Sequence, residues 1–461
     1  MPEGPATIPA PGAAPPAAPA PISLAAPAPA PAPWPVLLRR VLTLAAPTTL
    51  LAALQSACQL IEPLLAARQG TAALAGWAVV LPFVLLLQQM STGAMGGGVI
   101  SAIARALGAG RPAEASALVL HAVVIAVGFG LVFAVALAGF PYAVLGLIGG
   151  PEVAAAAAPY AVWLFGAGAV PAWLANTLAS VLRGGGRHAL ASRVLLFAWL
   201  AYPPLAWALM EPAGMAFAAV MTGATIGMAA VVLAGGAGFK PTLRVKLQGA
   251  LFGRILSVGL VACAMATLAN LATILVTARI AVHGAAAVAA YGVSARLEFL
   301  MVPLAFGVGA ALTALVGRAV GGGDWAEARR TAWAGGLLAL AVTSAVGLFV
   351  SVFPGATARF FTQDPEVVAI ATRALAIIGP ALPGFGVGMA LYFASMGAGR
   401  MRWPVVAAVS RVGLAVGGGW VLSDLLGWGI EGQFLAVALG ISAYGLITAA
   451  AVRPGVWSGP R

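Results

Sequence analysis

The chain is a succession of apolar runs, each long enough to cross a bilayer, which takes about 20 apolar residues per helix. In the first half these runs are Val41–Ala67, interrupted only by Glu62, then an uncharged stretch from Gln69 to Ala104, Ala115–Gly149, Val153–Leu182, Val194–Met210 and Ala213–Phe239. In the second half they are Ile255–Ala278, Ala285–Gly317, Thr331–Ala358, Val367–Gly399, Trp403–Leu426 and Ile430–Val452. Six precede Lys240 and six follow it. Only 8% of the residues are charged and 62% are hydrophobic, whereas about a quarter of an ordinary soluble domain is charged. A soluble globular enzyme and a disordered chain are both excluded on that ground. The fold class expected is all-α integral membrane, with 12 transmembrane helices.

Three other features fit that class. Residues 1–35 hold 13 Pro and 12 Ala, a composition that forbids a helix and predicts a disordered, partly polyproline-II tail. Cys58 and Cys263 both lie in apolar runs, without the spacing of a disulfide framework or a metal site. The net charge of +12 is not gathered on a polar face, so no nucleic-acid partner is expected. It reads instead as orientation. With both termini and alternate loops in the cytoplasm, eighteen of the 24 Lys and Arg fall on that side. The opposite loops carry Glu152, Glu211, Asp364, Glu366, Asp424 and Glu431. The positive-inside rule then predicts a multi-pass protein of the cell (inner) membrane with both termini cytoplasmic.

The chain also repeats itself. Arg105-Ala-Leu-Gly108-Ala-Gly110 and Glu114 recur 213 positions later as Arg318-Ala-Val-Gly321-Gly-Gly323 and Glu327. Arg183-Gly-Gly-Gly186-Arg187 returns at the same offset as Met396-Gly-Ala-Gly399-Arg400, and Arg40-Val-Leu-Thr matches Arg254-Ile-Leu-Ser. An even number of spans per unit puts both copies into the membrane in the same sense. Two pseudo-symmetric six-helix lobes around a central cleft follow, the design of transporters that rock two halves around a central site. The expected boundaries are a cytoplasmic tail at 1–35, lobes at 36–238 and 254–461, and a cytoplasmic linker at 239–253.

No G-x-x-x-x-G-K-[ST] phosphate loop is present, so the chain is not its own ATPase. Coupling to an ion gradient needs a group inside the membrane that changes charge state, and intramembrane ionisable residues are functional by default. Glu62 is the sole carboxylate within a span of the first lobe and shares a helix face with Thr48, Gln55 and Gln59. Such a stripe is expected to line a watery cavity, with Glu62 as the ion-coupling group; the blander alternative is a carboxylate reaching water at the outer helix end. Asn176, on a similar stripe with Ser180 and Arg183, is either a cavity group or an interhelical hydrogen-bonding residue. Arg296, Glu298 and Arg411 form a candidate charge network in the second lobe, where Arg411 is placed to pair with Glu298. Trp163, Trp199, Tyr202 and Trp207 suit interfacial anchoring or stacking on a flat cation, with anchoring preferred. His121, His188 and His283 are scattered, and no metal site is expected.

Several of these stretches resemble those of the multidrug and toxic compound extrusion (MATE) transporters. Leu60-Ile-Glu62-Pro-Leu-Leu-Ala-Ala-Arg68-Gln-Gly70 is similar to their "V-D-T-x-x-V-G-R-L-G" stretch. Arg105-Ala-Leu-Gly-Ala-Gly110 resembles "Q-x-x-G-A-G", and Val181-Leu-Arg-Gly-Gly-Gly186 resembles "L-R-G-x-G-D". Tyr291-Gly-Val-Ser-Ala-Arg296-Leu-Glu298 is similar to the eighth span of the DinF-like branch. The likeness covers residues 36–455. It implies a monomeric antiporter exporting a small-molecule amphiphilic or cationic substrate across the lipid bilayer, without a cofactor, coupled to H+ or Na+. It also places Glu62 at the family's acidic position on the first helix and Asn176 at an Asn before the "L-R-G" turn. The fifth helix departs, reading Trp199-Leu-Ala-Tyr202-Pro203-Pro204 where that branch often has Asn and then Asp-Pro. Missing those ligands favours H+ over Na+, because a hard cation wants several oxygen ligands.

The alternative within the superfamily is a lipid-linked saccharide flippase, which predicts a basic central cavity supplied by Arg296 and Arg411. An integral membrane enzyme would need clustered His, carboxylate or Ser nucleophile motifs, and the sequence has none.

Overall fold

The computed structural model describes residues 32–458 apart from Leu60, 210–212 and Leu243, and the side chains of Gln59, Ala213, Phe299 and Leu304 also lie outside what it describes. Most of the Ala/Pro-rich tail therefore falls outside the described residues. Helices make up the ordered structure, with no strand among the described residues. A bilayer core has no water to satisfy backbone N–H and C=O groups, so uncharged runs must satisfy them within each helix. Among the described residues, twelve helices are long and apolar enough to cross a membrane.

Most of the spans coincide with the sequence runs. The first covers Trp34–Arg68, the second Thr71–Gly108, the fifth His188–Ala208, the seventh Gly249–Ala281, the eighth Ala285–Gly321 and the twelfth Gly429–Ala451. The third and ninth end before their apolar runs do, at Gly139 and Val352. The next residue is Phe140 or Phe353, and each adopts a non-helical conformation near φ −129° or −120° with ψ 49°. Each precedes a proline, whose ring disfavours the helical region for its neighbour. Short helices follow, one from Pro141 to the bend at Gly150, where φ is 77°, the other Pro354–Phe361. Beyond Gly150 the fourth crossing runs over 151–184 and matches the tenth, Pro365–Ala398. Hydropathy could not mark these interruptions because the residues at the bends are themselves apolar.

The two repeats face each other at the end of the molecule where Trp34 and Trp457 lie. Gly108 lies against the carbonyl of Arg318, and Gly321 against the carbonyl of Arg105, so neither position has room for a Cβ. The repeated Arg-Ala-x-Gly motif is thus where each copy packs on the other. Ion pairs reproduce the symmetry. Arg40 on the first span reaches Glu327 on the ninth at 3.2 Å, and Arg254 on the seventh contacts Glu114 on the third. Ser101 Oγ donates across the seam to the carbonyls of Met396 (2.6 Å) and Gly397 (3.2 Å).

Arg329 and Arg400 donate to the carbonyls of Trp457 and Ser458, holding the C-terminal segment at the same end, where Arg330 lies over Trp34. The connection between lobes is clipped to the third span. Ser116 Oγ donates to the Lys240 carbonyl, and the Gln248 N–H donates to His121 Nε2. The seventh helix begins at Gly249, inside the expected linker.

Candidate functional site

Glu62 sits six residues before the far end of the first span, about 9 Å along the helix at 1.5 Å per residue, yet it is only 4% exposed. Three spans close over it. Trp77 Nε1 of the second donates at 3.1 Å and Tyr160 Oη of the fourth at 3.3 Å, both to Oε2. Tyr202 Oη of the fifth donates to Oε1. All three are neutral donors, and no Lys, Arg or His is paired with this carboxylate among the described residues. A buried charge without a cationic partner is expensive in a low-dielectric interior. The arrangement is suited to a carboxylate that takes up and releases a cation.

The polar stripe of the first span lies along the fifth span. Thr48, fully buried, meets His188 Nδ1 at 3.4 Å, while Glu62 meets Tyr202. Both helices advance fourteen residues between these contacts, so Thr48 is about 21 Å from Glu62 along the axis and belongs to a different environment. Gln55 between them is half-buried and has no hydrogen-bond partner among the described residues. The side chain of Gln59 lies outside the described residues. The stripe therefore does not converge on one cavity, because its ends are covered by the fifth helix.

Asn176 is buried and donates to Ser91 Oγ at 2.9 Å and Gln88 Oε1 at 3.3 Å, tying the fourth span to the second. Its interhelical role is the one observed. Arg183, on the same stripe, is 1% exposed with Nε and Nη1 unpaired, and its guanidinium lies 5.6 Å from the Phe306 ring of the eighth span.

In the second lobe Arg411 Nη2 donates to Glu298 Oε2 at 2.5 Å, the pairing expected from the sequence. Arg411 also lies over the Phe385 and Tyr444 rings, 5.5 and 5.9 Å from their centroids. Arg296 is not part of this network. Two residues before Glu298, it points from another side of the helix and is exposed, without a partner among the described residues.

The aromatic residues divide. Trp163 and Trp207 are exposed, and Arg68 lies over Trp207 at 4.4 Å. Trp199 and Tyr202 are buried, which overturns the preference for anchoring at these two positions. Tyr202 is turned inward by its bond to Glu62. Sequence reasoning missed Trp77, Tyr160 and Tyr202 as partners of the carboxylate. A signal existed: the chain has only six Tyr, and one directly precedes Pro203, where the resembling transporters carry Asp-Pro. Cys58 and Cys263 are buried free thiols, and no cluster of three or more His, Cys, Asp or Glu with metal-binding geometry occurs among the described residues.

Comparison with known proteins adds a family. The MatE profile matches twice, over residues 47–208 and 259–421, once in each repeat. Among curated proteins, "Probable multidrug resistance protein NorM" of Thermotoga maritima is 34% identical over 98 residues, covering 21% of this chain and 21% of that protein. "Protein DETOXIFICATION 53" of Arabidopsis thaliana is 32% identical over 94 residues, covering 20% and 19%. These alignments thus span about a fifth of each relative. Whole-fold similarity is broader. A mutant of the Vibrio cholerae MATE transporter VcmN superposes with a TM-score of 0.83 at 21% identity, over 91% of this chain and 97% of that one. A MOP superfamily transporter from Pyrococcus furiosus gives 0.81 at 18% identity, over 90% and 95%.

Proposed function

The chain belongs to the MatE family, a family of transporters and not of enzymes, and from that premise we propose that it is a secondary antiporter exporting organic cations, drugs or related amphiphilic metabolites. Two lobes, 36–238 and 249–461, rock about a central site, joined by a linker that ends where the seventh helix begins at Gly249. The protein works as a monomer in the cell (inner) membrane with both termini and the 1–35 tail in the cytoplasm. Its partners are the substrate and the bilayer, with no cofactor beyond the coupling ion.

One observation carries the coupling assignment: Glu62 is a buried carboxylate held by three neutral donors from three other spans. Its charge changes only when an ion arrives or leaves, so occupancy of this site biases the packing of the first lobe. The ion is H+. Trp77 offers only an N–H, leaving two tyrosine oxygens besides the carboxylate, fewer oxygen ligands than a hard metal cation prefers. Gln55, half-buried on the same helix, extends the polar face toward this pocket, and Asn176 fixes the fourth span against the second.

The test is pH-gradient-driven dye efflux in inverted vesicles. Glu62→Gln is expected to abolish it, and added Na+ to leave the wild-type rate unchanged. Undiminished efflux by the variant would overturn the coupling role. The flippase alternative lacks support, since Arg411 is neutralised by Glu298 and Arg296 stands apart.

A further inference from the structure

The Glu298–Arg411 pair has a setting that structural neutralisation alone does not account for. Glu298 lies thirteen residues into the eighth span from one end, and Arg411 nine residues into the helix Arg402–Gly413 from the other. At 1.5 Å per residue these are depths of about 20 Å and 14 Å, within a hydrocarbon core about 30 Å thick. The side chains are nevertheless 27% (Arg411) and 19% (Glu298) exposed. Charges at such depth face the bundle interior or a water-filled cavity rather than lipid, so the exposed parts of this pair open onto a space between helices. That space adjoins the seam between the lobes, because Tyr444, beneath Arg411, belongs to the same core cluster as the first-lobe residues Met95 and Ala102.

The pair is also bracketed by ring faces suited to a flat cation. Phe385 and Tyr444 hold the planar guanidinium of Arg411, and a delocalised organic cation meets such faces in the same way. A ligand entering here must open the ion pair. A simple monocation that takes Glu298 leaves Arg411 partly buried and unpaired, and a simple anion does the converse to Glu298. Removing one partner of such a pair is strongly unfavourable. A ligand with both charges avoids either penalty: its cation replaces the guanidinium at Glu298, and its carboxylate follows Arg411.

We infer that Glu298 and Arg411 form a substrate-recognition site selecting flat aromatic zwitterions over the corresponding monocations. The site is separate from the Glu62 coupling pocket, and it rests on the reading of the chain as an exporter of organic cations, drugs or related amphiphilic metabolites. It narrows that class: a carboxylate on the cationic ring system becomes a recognition element.

The experiment compares two dyes with one ring system, tetramethylrhodamine, a zwitterion, and its methyl ester, a monocation. Binding to the full chain in detergent is read by fluorescence anisotropy, with empty micelles subtracted. The wild type is expected to bind the zwitterion at least tenfold tighter than the ester. Arg411→Gln is expected to bring the ratio to about one or to reverse it, because Glu298 is then free for a monocation. The neutral double variant Glu298→Gln/Arg411→Gln, which leaves no unpaired charge to compromise folding, is expected to lose the preference as well. A wild-type ratio near one, or an unchanged ratio in these variants, overturns the inference. Because binding needs no gradient, Glu62→Gln is expected to keep the wild-type ratio while losing efflux. Absence of efflux in the wild type with the dye ratios as described would refute the export reading and leave the site standing.

Discussion

At the scale of single residues, the coupling pocket depends on tyrosines as much as on the carboxylate they hold. A hydrogen bond to a charged group contributes about 1.5–3 kcal/mol, and a buried group left unsatisfied is costly. Tyr202→Phe deletes the one donor to Glu62 Oε1 among the described residues, so efflux at a fixed pH gradient is expected to fall by roughly tenfold or more, which initial dye-efflux rates would report. Tyr160→Phe is expected to cost less, because Oε2 retains Trp77. A Tyr160 variant slower than the Tyr202 variant would reverse that ranking and its explanation. Glu62 was legible in the sequence as a lone carboxylate in an apolar run, a costly feature unless it has a function or reaches water at the helix end, and its burial removes the second reading. Its donors were not, since they come from three other spans whose packing no periodicity encodes. Periodicity put Thr48 and Glu62 on one face correctly, but could not say that the fifth span covers both.

At the scale of elements, the repeated Arg-Ala-x-Gly motif was visible as an internal match, while its function as the contact between copies emerged only from the packing. Sequence similarity marks equivalent positions, not touching ones. The contact predicts a strict size limit. A bulky residue at Gly108 meets the Arg318 backbone, and overpacking of this kind costs about 1–3 kcal/mol. Gly108→Leu is therefore expected to part the ends of the second and eighth spans. In a background lacking Cys58 and Cys263, a cysteine at Ser101 is expected to react several-fold faster with an impermeant maleimide in the Gly108→Leu protein. Equal labelling rates would show that the seam accommodates the side chain. The bends before Pro141 and Pro354 illustrate another limit of hydropathy. They interrupt apolar runs through backbone geometry, without any change in polarity.

At the scale of the whole molecule, the end where the repeats meet is fastened by the Arg40–Glu327 and Arg254–Glu114 pairs, one from each repeat. Partly exposed ion pairs are worth about 0–1 kcal/mol each, too little to decide folding but enough to bias two arrangements of the lobes. Glu114→Gln combined with Glu327→Gln is expected to raise the population open at this end by about fivefold, given roughly 1 kcal/mol lost in total. Nitroxide labels at Ala113 and Ala326 would report this as growth of the longer distance in an electron-spin measurement. High salt is expected to move the wild type the same way, because screening weakens exposed pairs. An unchanged distance distribution in the double variant would remove these pairs from the lobe equilibrium.

The reciprocity of those contacts has a geometric meaning. Arg from one copy meets Glu from the other, and the converse contact is made at the equivalent place, as across the two-fold axis of a homodimer. The single chain thus has the contact pattern that two identical six-helix subunits would make across such an axis. The copies differ inside the lobes, where one has a carboxylate held by two tyrosine hydroxyls and an indole N–H and the other an acid–base couple between aromatic rings. They are alike where the halves meet.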